Sequence, residues 1–294
     1  MKILNERISK RFLRRLNMAS HAWQRNLSSL TIDFSVLAHN GHKGPTLRQV
    51  QTNGFQMLVR SNEDVGRSIY YRGGYEQPET DFFRRTLRPA DVCFDVGANV
   101  GYFTLLFALC CSEGTVHCFE PVPLNFHTLS MNILLNGYSN VAANTIALSD
   151  RPGKAEFCIC SDSAFSSFVN TGRKPTAATT LVEMQTLDDY CEVRQIPRVD
   201  ILKVDVEGAE GRVIAGGRRL LADTKRQPRL VMLELVDAML GRHQASVGEV
   251  SSVMQGHGYT PHVLSEGRLA RWRPELEREY ENMFFVAGEL EVRP

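Results

Sequence analysis

Two carboxylates, Asp95 and Glu120, stand beside apolar runs where they could bind a nucleotide-like ligand. Asp95 lies in the apolar run Val92–Val96, which the turn Gly97–Gly101 joins to a second apolar stretch. This order predicts a strand, a tight loop and a helix, an arrangement that presents backbone N–H groups to a nucleotide. Glu120 follows the next apolar run, and a carboxylate at the end of a second strand can accept hydrogen bonds from both ribose hydroxyls. Together these features predict a cofactor that contains adenosine.

The composition of the glycine loop discriminates between candidate cofactors. A nicotinamide-binding loop usually reads Gly-x-Gly-x-x-Gly, because glycines let the backbone approach the pyrophosphate. This loop reads Gly97-x-x-x-Gly101 with Asn99 in the middle, and Asp95 just before it would repel a pyrophosphate. A carboxylate there suits a ligand with a sulfonium and an ammonium group, such as S-adenosylmethionine. The alternative is a glycine turn that binds no ligand, and Glu120 at the matching second position argues against it.

A lysine inside a predicted buried strand marks a second reactive segment. Lys203 interrupts the apolar run Ile201–Val204, and Asp205 and Glu207 come shortly after it. Burying a lysine costs free energy unless its ammonium group meets a carboxylate or solvent. We therefore expect Lys203 and Asp205 to be catalytic, with Glu207 as a third candidate. Acids in a first helical turn also stabilise the helix through its macrodipole, which is a structural alternative for Glu207 and Glu210.

These residues fall on an alternation of predicted strands and helices, which indicates an α/β fold with a mostly parallel sheet and helices on both faces. In such sheets ligands bind beyond the carboxyl ends of the strands, where this chain concentrates its acids. The last two strands lack a full helix between them, and we expect them to form an antiparallel hairpin at the sheet edge. The predicted strands are 92–96, 115–119, 141–147, 154–160, 181–186, 200–204, 229–235, 258–264 and 282–288, and the predicted helices are 76–87, 101–111, 123–136, 208–222 and 247–256.

The composition argues against several classes of protein. The 294 residues carry a formal net charge of +1, so no overall field attracts nucleic acid. No apolar run reaches the roughly 18 residues needed to span a membrane. The seven cysteines form none of the spacings of a zinc or redox site, which indicates buried thiols in a reducing compartment. We expect a cytoplasmic protein with no nucleic-acid partner and no transmembrane segment, and the oligomeric state stays open.

The chain divides into three predicted parts. Residues 1–45 form an extension, residues 46–75 contain short alternating runs typical of a small accessory strand layer, and residues 76–294 contain the α/β domain. The extension begins as a basic amphipathic helix without the apolar core of a secretory signal. It could contact an anionic surface, cover the active site, act as a transit peptide or pack on the main domain.

Five segments of the chain form a specific combination, although any one of them would be a weak signal. The segments are Phe94–Tyr102, Phe119–Pro121, Ala147–Asp150, Thr186–Asp188 and Leu202–Glu210. In this order they resemble the FkbM family of S-adenosylmethionine-dependent methyltransferases, and the similarity covers about residues 75–290. The resemblance implies a Rossmann-like class I methyltransferase fold and methyl transfer, usually to a hydroxyl oxygen of a sugar, glycan or secondary metabolite.

The same resemblance implies roles for individual residues. Glu120 would bind the ribose hydroxyls, Ala147 and Leu148 would line the adenine, and Asp205 would face the methyl-transfer region. Tyr75 and Glu79 would close over the methionine end. The remaining residues expected to bind the cofactor are those of the first segment: Asp95, Gly97, Asn99 and Gly101.

An alcohol acceptor must lose its proton during methyl transfer, so we expect a general base beside the cofactor. Asp205 is the first candidate, followed by Glu207 and His243, and Lys203 could orient Asp205 or hold the forming alkoxide. Acids at the strand ends could also hold the acceptor hydroxyls on a divalent cation, for which oxygen ligands suit Mg²⁺. The acids considered for that site are Asp205, Glu234 and Asp237.

Two other functions stay open at this point. An NAD-dependent oxidoreductase would share the glycine loop and Glu120, but it would have neither Asp95 nor the segment from Lys203 to Glu210. A non-catalytic protein that keeps the cofactor fold would bind its ligand without turnover, and the intact acids Asp95, Glu120 and Asp205 argue against it.

The identity of the acceptor is not encoded in a recognisable motif. We expect residues 46–75, residues 161–180 and the loops after 235 and 264 to select it. Residues 161–180 are polar and contain Gly172 and Pro175, which predicts either a lid that orders when substrate binds or a disordered connection.

Overall fold

The structure is a computed structural model that describes residues 47–170, 172–274 and 282–293. The basic helix expected in residues 1–45 lies outside the described residues. The strands are β1 Leu47–Thr52, β2 Phe55–Arg60, β3 Val92–Val96, β4 Thr115–Phe119, β5 Val141–Asn144, β6 Ile146–Leu148, β7 Gly153–Cys160, β8 Thr176–Gln185, β9 Ile201–Val204, β10 Leu230–Glu234, β11 Tyr259–Ser265, β12 Arg268–Arg271 and β13 Asn282–Ala287. The α-helices are α1 Asp64–Arg72, α2 Gln77–Thr86, α3 Tyr102–Cys110, α4 Pro123–Asn136, α5 Leu187–Val193, α6 Glu210–Ala215, α7 Arg218–Ala222, α8 Asp237–Leu240 and α9 Val247–Gly256.

The central sheet has eight strands in the order β12-β11-β13-β10-β9-β3-β4-β5. The five strands from β10 to β5 in this order run parallel, and β13 is antiparallel to both β10 and β11. The predicted α/β fold with a mostly parallel, Rossmann-like sheet is therefore confirmed, as is the antiparallel pairing of the last two predicted strands.

The antiparallel end of the sheet differs from the expectation in its order. The last strand, β13, does not lie at the edge but is inserted between β10 and β11, and the edge is the short strand β12. β13 is buried over Met283–Val286, whereas three of the four residues of β12 are exposed. A strand that is apolar on both faces needs neighbours on both sides, while a polar strand tolerates the edge.

The strands are buried on both faces because successive side chains point to opposite sides of the sheet. Cys93 and Val116 pack in one apolar cluster with α2, α3 and α4, while Phe94 and Val96 pack in a second cluster with α5, α6, α7 and α9. The expected helices on both faces are confirmed. This double packing fixes the carboxyl ends of the parallel strands, where the predicted site residues lie.

Two predicted elements are each divided in the structure. The strand expected over 141–147 splits into β5, in the central sheet, and β6, which joins β8 and β7 in a separate three-stranded sheet. The helix expected over 208–222 splits into α6 and α7 at Gly216 and Gly217. A Cβ on Gly216 would lie 2.1 Å from the carbonyl oxygen of Ser149, so this backbone contact requires glycine and interrupts the helix.

Residues 47–75 form a β-hairpin, β1–β2, followed by the helix α1, which the sequence did not predict. The hairpin turn is Asn53-Gly54, with φ of 43° and 85°, as expected for a two-residue hairpin loop. The free edge of β2 is covered by α4, because the Asn132 amide oxygen accepts a hydrogen bond from the Leu58 backbone N–H at 2.6 Å. Asn136 bonds the backbone of Gln56 in the same way. The β1–β2 hairpin is thus fixed against α4 by side-chain amides.

A search of the described helices for a long apolar segment found none that could cross a membrane.

Candidate active site

A cavity of about 660 Å³ opens at the carboxyl ends of β3, β4 and β9 and is closed on one side by α1, by residues 163–168 and by Arg173. It brings together residues from across the chain. The sequence-predicted residues in its wall are Asp95, Gly97, Asn99, Glu120, Ala147, Leu148, Lys203, Asp205 and Glu207.

The glycine loop joins β3 to α3 through left-handed backbone. Gly97, Asn99 and Gly101 have φ of 79°, 49° and 94°. A Cβ on Gly97 would lie 1.8 Å from the carbonyl oxygen of Asp205, so the loop needs glycine where it packs on the end of β9. A Cβ on Gly101 would lie 2.5 Å from Leu129 of α4. The structure therefore places Gly101 at a helix–helix contact and not in the cavity wall, although we expected it to bind the cofactor.

The backbone N–H groups of the loop already have partners within the protein. Those of Gly97 and Ala98 each donate to the carbonyl oxygen of Phe119 at 3.0 Å. The N–H of Asn99 donates to Glu120 Oε2 at 2.8 Å. A pyrophosphate is normally held by free N–H groups at this position. The loop is consequently better suited to a cofactor without phosphates.

Glu120 is buried, and its two carboxylate oxygens accept from the backbone of Asn99 and Val122, each at 2.8 Å. Burial raises the pKa of Glu120 to about 7, although the two backbone hydrogen bonds act in the opposite direction. No ion pair to Glu120 is found among the described residues. A ligand that donates hydrogen bonds, such as a ribose, would stabilise the ionised form.

Lys203 is buried between two carboxylates, as the interrupted strand predicted. Its Nζ lies 3.2 Å from Asp205 Oδ2 and 3.5 Å from Asp95 Oδ1. The Thr104 hydroxyl donates to the other oxygen of Asp95 at 2.6 Å. Burial alone would lower the pKa of Lys203, but Asp205, Asp95 and Glu76 together raise it above its usual value. The lysine therefore stays charged and fixes the ends of β3 and β9 relative to each other.

Asp205, Glu207 and Glu234 form a cluster of acids beside this lysine, with one oxygen from each lying within 4.8 Å of the others. Glu207 has a left-handed φ of 57°, and its Oε2 lies 3.0 Å from Arg173 Nη1. Burial and the nearby Asp205 raise the pKa of Glu207 to about 8, and burial likewise raises that of Glu234. Glu234 Oε2 is buried without a hydrogen-bond partner in the described part of the chain. The cluster could hold a divalent cation.

Two other residues considered from the sequence lie outside the cavity wall. Asp237 is exposed, and its Oδ1 accepts from the backbone N–H of Val247 at 2.9 Å. His243 packs against Gly208, and burial together with Arg212 lowers the pKa of its imidazole. Glu207 takes the place that Asp237 was expected to have in the acidic cluster.

The apolar end of the cavity contains Ala147 and Leu148, as the sequence predicted for an adenine site. Phe157 and Phe168 complete it, with ring centroids 5.1 Å apart in an edge-to-face arrangement. Sequence reasoning missed both phenylalanines, because only the folding of the three-stranded sheet and the following segment brings them into one cluster with Ala147.

The region just before α2 also contributes to the wall, with one difference from the expectation. Tyr75 lines the cavity, but the acid beside it is Glu76 and not Glu79. Glu79 Oε1 instead accepts a hydrogen bond from Asn282 Nδ2 at 3.3 Å. The Gly73-Gly74 pair that precedes Tyr75 is the sequence signal that could have indicated a tight turn into the site.

Part of the polar segment 161–180 covers the cavity. Phe165, in the short 3-10 helix Ser163–Phe165, lies in the wall, and the Arg173 guanidinium lies 4.3 Å from its ring centroid. The Ser163 hydroxyl is 2.7 Å from Glu63 Oε2 and accepts from Arg60 Nη2 at 3.0 Å. The segment is therefore attached to the accessory layer through Ser163 and to the acidic cluster through Arg173.

Comparison with known proteins is consistent with this geometry. The profile of the methyltransferase FkbM domain matches residues 95–261. The 31-O-demethyl-FK506 methyltransferase FkbM of Streptomyces tacrolimicus is 31% identical over 245 residues, which cover 74% of this chain and 86% of that protein. The hexuronic acid methyltransferase AglP of Haloferax volcanii is 27% identical over 192 residues, covering 63% and 73% of the two chains. The match to a crystal structure of methyltransferase FkbM from Methylobacillus flagellatus KT covers 74% of this chain and 49% of that chain, with 15% identity and a TM-score of 0.45.

Proposed function

The chain belongs to the FkbM methyltransferase family, and we propose that it transfers the methyl group of S-adenosylmethionine to a hydroxyl oxygen of a sugar, glycan or secondary metabolite. The observation that carries the proposal is that the glycine loop, Glu120 and the Lys203–Asp205 pair all line the same cavity. One relative is named for an O-demethyl substrate and the other for a hexuronic acid. Both names support a hydroxyl group of a secondary metabolite or sugar as the acceptor.

The residues of the cavity fit the cofactor from end to end. Phe157, Phe168 and Leu148 offer an apolar slot for the adenine, and Glu120 offers buried carboxylate oxygens to the ribose hydroxyls. Asp95 and Asp205 share the single charge of Lys203, so this part of the cavity keeps a net negative charge that suits a cation.

The cofactor supplies an activated methyl group on a sulfonium, so the protein mainly has to align the acceptor and accept a proton. Alignment of the acceptor oxygen can contribute about 7–11 kcal/mol of barrier reduction. We propose Asp205 as the general base, because its side chain is 23% exposed to the cavity while Lys203 fixes its orientation. Glu207 is a weaker candidate, since its raised pKa of about 8 keeps its proton bound at neutral pH. Lys203 is placed to hold negative charge that develops beside Asp205.

A divalent cation is a second way to bind the acceptor oxygens in the same cavity. The observation that favours it is the cluster of Asp205, Glu207 and Glu234, in which Glu234 Oε2 is buried without a partner among the described residues. Chelation should then remove activity and Mg²⁺ should restore it, whereas Glu234→Gln should abolish the response to Mg²⁺. Full activity in excess chelator would contradict a role for a cation.

The alternative of an NAD-dependent oxidoreductase fits the cavity less well. Its pyrophosphate would meet N–H groups of Gly97, Ala98 and Asn99 that are already bonded within the protein. It would also lie near the negative charge of Asp95.

The first experiment measures binding of S-adenosylmethionine, S-adenosylhomocysteine and NADH by thermal shift. A ligand at a hundred times its dissociation constant should stabilise the protein by about 2.7 kcal/mol. We expect a shift with both sulfur ligands, lost in Glu120→Ala, and none with NADH. A shift with NADH alone would contradict the proposed function.

The second experiment measures transfer of a radiolabelled methyl group to a panel of sugar, glycan and polyol acceptors. Asp205→Asn should abolish turnover, because it removes the proposed base, and should retain cofactor binding, because Asp95 still pairs with the buried Lys203. Asp237→Asn, which changes an exposed acid outside the cavity, is the matched control and should retain activity. Undiminished turnover in Asp205→Asn would exclude Asp205 as the base.

We also propose that the protein acts in a reducing compartment such as the cytoplasm. All seven cysteines are free, and Cys93 and Cys111 are completely buried with their sulfur atoms 3.5 Å apart. Free cysteines are typical of proteins in a reducing compartment, which supports this proposal.

A further inference from the structure

Arg60, the last residue of β2, has a guanidinium group that is almost completely buried, with 1% of the side chain exposed. Its Nε pairs with Glu63 at 2.5 Å, and its Nη1 donates to the Thr128 hydroxyl at 2.9 Å. Its Nη2 donates to Asn125 Oδ1 at 2.5 Å and to the Ser163 hydroxyl at 3.0 Å. One guanidinium group therefore joins the accessory layer, helix α4 and the segment that covers the cavity.

The contact with Arg60 fixes the orientation of the Asn125 amide. A guanidinium group only donates hydrogen bonds, so the amide must turn its oxygen towards Arg60. The Asn125 side chain is buried, and Asn125 and Ser163 both line the cavity. Because the oxygen and the nitrogen of a carboxamide point in different directions, Nδ2 is directed away from Arg60. The amide nitrogen is thus left as a donor for another group of the site.

Glu120 is the group that this donor meets in the same wall. Asn125 lies in the first turn of α4, three residues after Val122, whose backbone N–H donates to Glu120 Oε1 at 2.8 Å. A side-chain hydrogen bond from Asn125 lowers the pKa of Glu120, as do the backbone hydrogen bonds from Val122 and Asn99. These donors oppose the effect of burial and favour the ionised carboxylate that a ribose would bind.

Arg60 itself lies outside the cavity wall and before residues 95–261, which match the family profile. We propose that Arg60 is a positioning residue for the cofactor site: by holding Asn125 Oδ1, it keeps the Asn125 amide donating to Glu120 and so prepares this carboxylate for the nucleoside. The inference rests on the proposed function. It gives the accessory layer, which precedes the matched residues, a direct effect on the affinity for the cofactor.

Calorimetric titration of 5′-methylthioadenosine into Arg60→Lys, between roughly pH 6 and pH 9, tests the proposal. Lysine keeps a positive charge beside Glu63, but one ammonium group cannot reproduce the fork of donors of a guanidinium group, and the Asn125 amide becomes free to rotate. The affinity at neutral pH should fall by about tenfold. The midpoint of the pH profile should move upwards, because the ionised form of Glu120 loses a donor, whereas a merely structural role would not move it.

The same substitution in the Glu120→Gln variant separates this role from a general effect on the fold. If Arg60 acts through Glu120, Arg60→Lys should change the affinity of Glu120→Gln by less than about twofold. Thr128→Val is the matched control, since Thr128 accepts from the same guanidinium group but lies outside the cavity wall. It should leave the affinity and the midpoint unchanged.

Asn125→Asp tests the amide directly and does not depend on the folding of an Arg60 variant. Its carboxylate can still accept from Arg60, but it offers no donor to Glu120, so the affinity should again fall by about tenfold. Normal affinity in Asn125→Asp or in folded Arg60→Lys, or an equal loss from Arg60→Lys in the Glu120→Gln background, would overturn the role of Arg60. Failure of the wild-type protein to bind 5′-methylthioadenosine or S-adenosylhomocysteine would instead contradict the proposed function itself.

Discussion

At the scale of single residues, the chemistry of the site depends on Lys203, a buried lysine whose charge is stabilised by neighbouring carboxylates. Lys203 is 2% exposed and lies between Asp95, which is 1% exposed, and Asp205. An ion pair of this kind is not a strong source of net stability, because both groups lose hydration. The ion pair instead fixes the geometry of the site, since it holds the proposed base at a fixed distance from the glycine loop.

Lys203→Met should be strongly destabilising, because it leaves two carboxylates without their cation in a buried site. Removing one partner of such a pair typically lowers the free energy of unfolding by about 3–5 kcal/mol. Denaturant titration measures this loss. Lys154→Met is the control, since Lys154 and Glu183 form an exposed pair, and it should change stability by less than about 1 kcal/mol. Equal effects of the two substitutions would contradict the proposed role of burial.

Glu120 should make nucleoside binding dependent on pH. Because burial raises its pKa to about 7, the carboxyl group is largely protonated below neutral pH and can accept fewer hydrogen bonds from a ribose. The affinity for 5′-methylthioadenosine should therefore rise by up to about tenfold between roughly pH 6 and pH 8. Glu76 in the same cavity wall also has a pKa raised by burial, to about 8, so a matched variant is needed to separate the two groups.

The matched variant for this titration is Glu120→Gln, which keeps the shape of the side chain and removes its ionisation. It should bind 5′-methylthioadenosine weakly at every pH, with a flat profile. A variant with the wild-type pH dependence would show that another group titrates.

At the scale of elements, the site depends on backbone segments that pack against each other without intervening side chains. The loop after β3 contacts the end of β9 where a Cβ on Gly97 would be 1.8 Å from the carbonyl oxygen of Asp205. A close backbone contact of the same kind divides the helix predicted over 208–222, because Gly216 contacts the backbone of Ser149. These contacts bring the strand ends close enough to share one cavity.

Gly97→Ala should disrupt both the fold near the site and cofactor binding, because the added methyl group meets rigid backbone. Gly137→Ala is a matched control, since Gly137 has a similar positive φ of 70° but nothing within 4 Å of its position for a Cβ. The control should lose only about 1–2 kcal/mol for the left-handed conformation, measured by thermal unfolding. Gly97→Ala should lose more than that and should not bind S-adenosylmethionine, and a variant with normal binding would show that the loop can shift.

At the scale of the whole molecule, the ligand-free protein contains several buried acids whose pKa is raised. The values are about 7 for Glu120 and Glu210 and about 8 for Glu76 and Glu207, with burial as the largest cause in each case. The folded state therefore binds more protons than the unfolded state at neutral pH. Their contribution to stability is complete below the pKa of an unfolded glutamate and is lost as the pH rises through 7 and 8.

The ligand-free protein should accordingly become less stable between about pH 6.5 and pH 8.5, by on the order of 1 kcal/mol per pH unit. Below that window the depressed pKa of His117, about 4 because of burial, acts in the opposite direction. Unfolding free energies across this range provide the measurement, and Glu210→Gln should flatten the decline. A stability that rises with pH above 6.5 would contradict the raised pKa values.

Local sequence patterns predict most of the strands and helices of the central sheet and the residues at the strand ends. They identify Asp95, Glu120, Lys203 and Asp205, and all four line one cavity. This succeeded because apolar periodicity, glycine turns and a charged residue in an apolar run are local patterns, and parallel strands bring their carboxyl ends to the same edge.

Contacts between distant segments specify which residues from other elements complete the site. Glu76 and Phe157 enter the cavity wall through the folding of distant segments, whereas Gly101 turns towards Leu129 and Asp237 faces solvent. The side-chain directions in these segments depend on contacts between residues far apart in the chain, which no local pattern specifies. The insertion of the last strand inside the sheet has the same origin, because its place depends on which neighbours can bury both of its faces.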